Sequence, residues 1–213
     1  MKIAIIGAGN VGKALGKSFV GAGHSVVYAA SNPDHSRQAA EAVGGTAAAN
    51  AREAAQGADI VVLAVPYASA GRQVATEIAP SVVGKIVIDV TNPLGADGNL
   101  ATQGGVSAAE EFAKWMPGAR VVKAFNTLFA SVQGDPRALG TEVDAFFATD
   151  DDAARTATAA LLKSLGFRPV NVGPLARARE LEGMAFLNIH LQMSVGGDWR
   201  SAYVMIGAPA GAL

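Results

Sequence analysis

The sequence contains no cysteine, and this absence excludes disulfide bonds, thiolate catalysis and cysteine-ligated metal sites. Charged residues are also scarce, at 16% of the 213 residues, and the formal net charge is −1. Acidic and basic side chains are interspersed along the chain, so no basic surface for nucleic acid or a membrane is indicated. We therefore expect neither a nucleic acid nor a membrane as a partner.

Long apolar runs are absent as well. No stretch approaches the roughly 20 apolar residues that span a bilayer. The apolar start at Met1–Ile6 leads directly into Gly-Ala-Gly and lacks the cleavage site of a signal peptide. These features predict a soluble, cytoplasmic protein.

Short apolar runs alternate with stretches of helix length. The continuous Val, Ile and Ala content of these runs is typical of strands buried on both faces of a parallel sheet. Helices are predicted at Val11–Val20, Ser36–Val43 and Ala153–Leu165. The predicted strands are Lys2–Ile6, Ser25–Ala30, Ile60–Val65, Ile86–Val90, Arg120–Ala124, Ala145–Ala148 and Arg168–Val172. This alternation predicts an α/β fold with a doubly wound, mostly parallel sheet.

A glycine pattern, G-x-G-x-x-G, joins the first predicted strand to the first predicted helix. The glycines are Gly7, Gly9 and Gly12, and Asn10 and Val11 lie between the last two. The first glycine permits a tight turn, the second lets the backbone approach a pyrophosphate, and the third lets the helix pack closely on the strand. The amides of the helix N-terminus then face the anion. The pattern in this position predicts a Rossmann-type dinucleotide site.

The residues after the second predicted strand indicate which dinucleotide is bound. NAD-binding proteins usually have an acidic residue there, which holds the ribose 2′-hydroxyl. Here the neutral donors Ser31 and Asn32 follow the strand, and Arg37 can supply a cation for a 2′-phosphate, although it can also be a solvated charge on the helix surface. Asp34 is expected to cap the next helix. We therefore expect NADP(H).

The crevice should lie beyond the carboxyl ends of the strands, where the strand order reverses. Small residues and prolines at three strand ends suit a wall against which a nicotinamide ribose packs. The asparagines there can orient a carboxamide or form turns, and Tyr67 and the phenylalanine can flank a flat ring or belong to the core. The strand-end residues are Ala64, Val65, Pro66, Asn92, Pro93, Ala124, Phe125 and Asn126.

Five segments resemble the family of NADPH-dependent coenzyme F420 reductases, whose fold also forms the oxidoreductase domain of STEAP metalloreductases. They are Ile3–Gly12, Ala64–Tyr67, Ile88–Leu94, Val121–Leu128 and Leu165–Glu182. The resemblance implies NADP(H) on the glycine turn, with Ser31, Asn32 and Arg37 at the 2′-phosphate. It also implies a flavin or deazaflavin acceptor (coenzyme F420, FMN or FAD) and a homodimer. Members often carry arginine at the position of Asn32, which implies weaker 2′-phosphate binding here.

Residues 1–174 are predicted to form the NADP-binding domain. Residues 175–213 should form a helical segment, with a helix at Ala176–Leu191, that completes the acceptor site and the dimer interface. The remaining length leaves no room for a separate substrate domain. Gly95–Gly105 is expected to be a surface loop, and residues 193–213 match the family poorly.

Hydride transfer between a nicotinamide and a flavin-like ring needs orientation more than acid–base groups. The sequence accordingly offers no catalytic triad and no cluster of metal ligands. His190 is a candidate proton donor or a packed histidine, and Asp150-Asp151-Asp152 is interpreted as a helix cap rather than a metal site. The sequence thus predicts an NADP(H)-dependent oxidoreductase with a small-molecule acceptor. An NADP-dependent reductase of a hydroxy acid or imine, or a non-catalytic NADPH sensor, remain alternatives.

Overall fold

A computed structural model describes residues 1–95, 99, 101–102 and 105–207. The elements of its first half are β1 (Lys2–Ile6), α1 (Asn10–Gly21), β2 (Ser25–Ala29), α2 (Pro33–Val43), β3 (Thr46–Ala47), α3 (Ala51–Gln56), β4 (Ile60–Leu63) and α4 (Arg72–Ile78). Those of its second half are β5 (Ile86–Asp89), α5 (Ala108–Trp115), β6 (Arg120–Ala124), α6 (Ala130–Gln133), β7 (Asp144–Thr149), α7 (Asp152–Ser164), β8 (Arg168–Asn171) and α8 (Ala178–Val195).

The strands form one sheet with the order β3-β2-β1-β4-β5-β6-β7-β8. All neighbouring pairs are parallel except β6 and β7. The chain moves outward from β1 to β3 and then returns to place β4 on the other side of β1. The strand order therefore reverses between β1 and β4, which is the point where this class of sheet binds ligands. The predicted doubly wound, mostly parallel fold is confirmed.

Helices cover both faces of the sheet, and the alternation along β1 shows why its sequence is apolar after Lys2. Ile3 and Ile5 belong to the core cluster that contains Leu15 and Phe19 of α1. Ala4 and Ile6 belong to the cluster on the opposite face, which contains residues of α3, α4 and α5. A strand that meets helices on both sides buries every side chain, so a polar residue would find water on neither face.

The C-terminal segment packs onto the same sheet. Helix α8 follows a short 3₁₀ turn at Leu175–Arg177, and its Leu181 packs with Phe146 and Val170 of β7 and β8. The helix ends at Gly196, which has a left-handed φ of 62°. The prediction of one long helix before the Gly-Gly break is thus confirmed, although the helix begins two residues later and ends four residues later than predicted. The expected loop at Gly95–Gly105 and the end of the expected segment 175–213 lie partly outside the described residues.

Candidate functional site

The first glycine turn depends on backbone positions that tolerate no side chain. Gly7 follows β1 with a φ of +118°, and its amide donates a hydrogen bond to the carbonyl oxygen of Ala29 (2.8 Å). A Cβ atom on Gly7 would lie 2.1 Å from the carbonyl oxygen of Ala64, and a Cβ atom on Gly12 would lie 2.0 Å from that of Gly7. Only glycine can therefore occupy either position without moving the backbone.

The side chain of Tyr28 on β2 contacts helix α1. Its hydroxyl donates a hydrogen bond to the carbonyl oxygen of Gly12 (3.0 Å), and burial raises the pKa of this phenol to about 12. A Cβ atom on Gly16 would lie 1.7 Å from the Tyr28 hydroxyl oxygen. Gly12 and Gly16 thus let α1 pack closely on β1 and β2, which orients the N-terminus of the helix.

Gly9 differs from its neighbours because it faces open space. It is the N-cap of α1, its φ of −77° is ordinary for any residue, and a Cβ atom there would meet nothing within 4 Å. A glycine that the protein's own packing does not require is what close backbone approach to a pyrophosphate would demand. Together with the unpaired amides of the first turn of α1, this geometry fits the phosphates of a dinucleotide.

A crevice of about 740 Å³ opens from the turn along the carboxyl ends of the strands. Its wall brings together most of the predicted binding residues, namely Gly7, Gly9, Asn10, Val11, Ser31, Ala64, Val65, Pro66 and Asn92. The wall also includes residues that sequence reasoning missed, among them His35, Asn50, Gln73, Val74 and Glu77. These residues belong to α2 and α4 or precede α3. They form no sequence motif from which a binding site could have been predicted.

The end of the crevice near the 2′-phosphate candidates differs in part from expectation. Ser31 lines the crevice, but the Asn32 side chain caps α2 by accepting a hydrogen bond from the amide of Asp34 (2.9 Å). Asp34 was expected to be the cap and instead forms an ion pair with Arg37. Arg37 is exposed and is not part of the crevice wall as the structure describes it.

Of the two alternatives for Phe125, the structure supports the core and not a ring that flanks a cofactor. Phe125 has a φ of +63°, and its fully buried ring packs edge-on against Phe19 and Phe167 at centroid distances of 6.1 and 6.2 Å. Ala124 is also fully buried in the core and offers no side chain to the crevice. The left-handed backbone at the end of β6 turns the ring inward, and residue patterns do not reveal such a reversal for a non-glycine residue.

The two predicted asparagines do meet. Asn126 Nδ2 donates hydrogen bonds to Asn92 Oδ1 (3.1 Å) and to the carbonyl oxygen of Leu181 in α8 (2.9 Å). Asn92 Nδ2 in turn donates to the carbonyl oxygen of Asn126 (3.0 Å). This pair connects the ends of β5 and β6 with α8. Pro93 is buried beside it and does not belong to the described crevice wall.

A buried ionic cluster lies behind these asparagines. The amine of Lys123 donates hydrogen bonds to Asp89 (2.8 Å), to Glu182 (2.9 Å) and to the carbonyl oxygen of Thr91 (2.6 Å). Burial alone would lower the pKa of Lys123, but the two carboxylates raise it above its ordinary value. Burial raises the pKa of Glu182, against the opposing effect of Lys123. Charged residues inside apolar strands were the sequence signal for this cluster, and sequence reasoning did not use it.

A second ion pair joins α5 to α8. Arg179 donates two hydrogen bonds to Glu110, at 2.8 and 2.6 Å. These bonds, with a smaller contribution from Ser107, lower the pKa of Glu110 to about 2. Glu182 also accepts a hydrogen bond from the amide of Ala108 at the start of α5 (2.9 Å). Helix α5 is therefore joined to α8 at two points, through Glu110 and through the amide of Ala108.

The remaining candidates lie outside the crevice wall. His190 is exposed on α8 and packs against Phe186, with ring centroids 4.2 Å apart. Tyr67 packs against Phe112 and Trp115. Asp151 caps α7 by accepting a hydrogen bond from the amide of Ala154 (2.7 Å), which confirms the cap interpretation for that residue.

Neither a metal centre nor a membrane span is found in the part of the chain that the structure describes. Within it, no three histidine, aspartate or glutamate side chains are grouped closely enough to ligate a metal ion. Its helices are likewise too short or too polar for any of them to traverse a bilayer.

Comparison with known proteins identifies the family. The model of the coenzyme F420-dependent NADP oxidoreductases matches residues 2–93. The F420-dependent NADP reductase of Methanothermobacter marburgensis is 31% identical over 213 aligned residues, which cover 91% of this chain and 93% of that protein. The chain belongs to the coenzyme F420-dependent NADP oxidoreductase family. The predicted family and the predicted NADP-linked oxidoreductase class are both confirmed.

Two further relatives agree with this family assignment. The crystal structure of a putative F420-dependent NADP reductase from Arthrobacter sp. FB24 superposes with a TM-score of 0.87 at 29% identity, covering 97% of this chain and 100% of that one. Metalloreductase STEAP3 of Rattus norvegicus is 30% identical over 184 residues, which cover 86% of this chain and 36% of STEAP3. The chain thus spans about a third of the length of that metalloreductase.

The contrast between Gly9 and Gly12 gives a test of the turn. The Gly9→Ala change should weaken NADPH binding about tenfold or more, because the added methyl group would occupy the space that faces the pyrophosphate, while the fold stays intact. The Gly12→Ala change should instead lower the free energy of unfolding by about 1–3 kcal/mol, because its methyl group meets the Gly7 carbonyl. Calorimetric titration and thermal unfolding of both variants measure these effects. Unchanged NADPH affinity in the Gly9→Ala variant would contradict the assignment.

Proposed function

We propose that the protein transfers a hydride between NADP(H) and a deazaflavin acceptor of the coenzyme F420 type. The observation that carries this proposal is the glycine turn that opens into a 740 Å³ crevice at the reversal of strand order. The named activity of the Methanothermobacter marburgensis relative, which aligns over nearly its full length, supports the choice of acceptor.

The residues of the crevice act by binding and orientation. We assign the pyrophosphate to Gly7, Gly9, Asn10 and Val11, since the amides of the α1 N-terminus lie there. Ala64, Val65 and Pro66 supply an apolar wall that keeps water from one side of the reacting ring. When bound, the nicotinamide supplies the carbon that donates or accepts the hydride, and the protein contributes by holding two rings in reactive geometry.

Turnover with separate acceptors tests the proposal. NADPH oxidation is followed by its near-ultraviolet absorbance under anaerobic conditions, with coenzyme F420, FMN, FAD and a ferric chelate offered one at a time. We expect rapid oxidation with coenzyme F420 and at most slow oxidation with the others. Faster turnover with FMN, FAD or the chelate would assign a different acceptor. Tight NADPH binding without turnover would favour a sensor or a reductase of small imines or hydroxy acids.

We assign the 2′-phosphate to Ser31, Asn32 and Arg37. Arg37 would then leave its ion pair with Asp34 and bind the phosphate instead. The Arg37→Ala change should weaken NADPH binding about tenfold, because a charge-assisted hydrogen bond is lost, and should leave NADH binding unchanged. The Arg155→Ala variant is the matched control, since Arg155 forms the same kind of ion pair with Asp152 on α7. Equal losses for NADPH and NADH would exclude this role for Arg37.

We also propose that the protein is a cytoplasmic homodimer. Helix α8 exposes apolar side chains that no described part of the chain covers, and Leu187 and Leu191 lie one helical turn apart on it with exposed fractions of 64% and 56%. Val195, one turn after Leu191 and 70% exposed, extends this surface. Apolar patches of this kind commonly form interfaces between subunits.

Sedimentation velocity tests the dimer. The Leu191→Asp change should convert a dimer into a monomer, because an interface buries the new charge without a partner. The Val83→Asp variant is the control, since Val83 is equally exposed at 64% but lies before β5. A wild-type protein that sediments as a monomer at micromolar concentration would contradict the proposal.

A further inference from the structure

A smaller cavity of about 100 Å³ adjoins the crevice and shares Val11, Val90 and Asn92 with its wall. The rest of its lining comes from the end of β6, from α6 and from α8. The polar side chains among these residues are Asn126, Thr127, Gln133 and Asn188. Three of the four are at least 97% buried and Asn188 is 95% buried, so water cannot easily compensate for an unmade hydrogen bond here.

The amide oxygen of Gln133 receives no hydrogen bond from any described residue. Its Nε2 donates hydrogen bonds to the carbonyl oxygens of Phe125 (3.0 Å) and Leu128 (2.9 Å). Because carbonyl oxygens can only accept, these two bonds fix which end of the amide is nitrogen. The buried Oε1 is then left without a hydrogen bond from any residue that the structure describes.

Asn126 repeats this arrangement. Its Nδ2 is engaged by Asn92 Oδ1 and by the carbonyl oxygen of Leu181. Its buried Oδ1 also lacks a partner among the described residues. Two residues of the same small cavity thus each hold an amide oxygen that needs an N–H or O–H donor.

The cavity also contains donors. The buried hydroxyl of Thr127 makes no hydrogen bond within the described ranges. Asn188 Oδ1 accepts a hydrogen bond from the Ser201 hydroxyl (2.6 Å), which leaves its Nδ2 as the available group. Two acceptors and two donors around one cavity match a group that offers two N–H bonds and one carbonyl oxygen.

We infer that this cavity binds the primary carboxamide of the nicotinamide, with Gln133 Oε1 and Asn126 Oδ1 accepting its two N–H bonds and Thr127 and Asn188 donating to its oxygen. The inference rests on the proposed function, because it requires NADP(H) in the adjoining crevice. A carboxylate in this place would set negative oxygens against two unpaired oxygens, and an acetyl group would offer no N–H at all. Gln133, Thr127 and Asn188 therefore determine which end group the coenzyme must carry.

Exchange of the end group on the coenzyme tests the inference without altering the protein. Calorimetric titration compares NADP⁺, its 3-acetylpyridine analogue, its nicotinic acid analogue and 2′,5′-ADP. We expect both analogues to bind about tenfold more weakly than NADP⁺, because two buried acceptors stay unpaired. Equal affinity for NADP⁺ and the acetylpyridine analogue would overturn the carboxamide assignment. Tight binding of 2′,5′-ADP in the same experiment would still support the proposed nucleotide site. Failure of both NADP⁺ and 2′,5′-ADP to bind would overturn both proposals.

Two variants test the protein side of the same contact. The Thr127→Val change should weaken NADP⁺ binding about threefold to tenfold and leave 2′,5′-ADP binding unchanged, because it removes one donor and keeps the side-chain shape. Thr158→Val is the matched control, since Thr158 is a fully buried threonine on α7 whose hydroxyl likewise lacks a described partner. Identical NADP⁺ affinity in these two variants would exclude the Thr127 hydroxyl from the contact.

The Gln133→Met variant measures discrimination rather than affinity. We expect the ratio of affinities for NADP⁺ and the acetylpyridine analogue to fall about threefold or more, because one N–H acceptor is gone. A purely structural role for Gln133 would weaken both ligands equally and preserve the ratio. Thermal unfolding of the variant accompanies the titration, and a preserved ratio in a folded variant would overturn the role of Gln133.

Discussion

The wall of the crevice at the end of β5, which includes Thr91 and Asn92, depends on the buried amine of Lys123. It joins a carboxylate on β5, a backbone carbonyl just after β5 and a carboxylate on α8, and the α8 carboxylate also accepts a hydrogen bond from the first amide of α5. Loss of one member of such a cluster leaves a buried charge unpaired and typically costs about 3–5 kcal/mol. This ionic cluster helps to position Asn92 and Asn126, because each lies three residues after one of its members, Asp89 on β5 or Lys123 on β6.

The wall at the glycine turn depends instead on positions that carry no side chain. Gly7 and Gly12 remove the atoms that would separate β1, β4 and α1, and Gly16 makes room for the hydroxyl of Tyr28. Backbone contacts thus form the wall at the glycine turn, and a buried ionic cluster lies behind the wall at the end of β5. Such packing would serve the proposed reaction, since orientation of two flat rings is the main contribution that the protein can make to hydride transfer.

Sequence reasoning predicted the parts of the fold that follow from periodic patterns. Buried strands such as β1 and β4 are continuous apolar runs, and the glycine turn has its own signature, so both were located correctly. The two-residue β3 and the short helices α3, α4 and α6 carry too few residues to form a period. The sequence could not decide between the two alternatives for the ring of Phe125, because its inward direction depends on a left-handed backbone. Gln133 was missed because its role depends on which of its amide atoms is already engaged.

The path of α8 has a consequence for how the molecule can be divided. The sequence suggests a boundary after residue 174. Three residues that follow it nevertheless contact the earlier part of the chain: Leu181 contacts Asn126, Glu182 contacts Lys123, and Asn188 lines the small cavity. A fragment cut at this boundary would keep the phosphate-binding turn but would expose Lys123 and open the small cavity to water. Helix α8 therefore packs as part of the same unit as α1, and we expect residues 1–174 alone to lack a complete crevice.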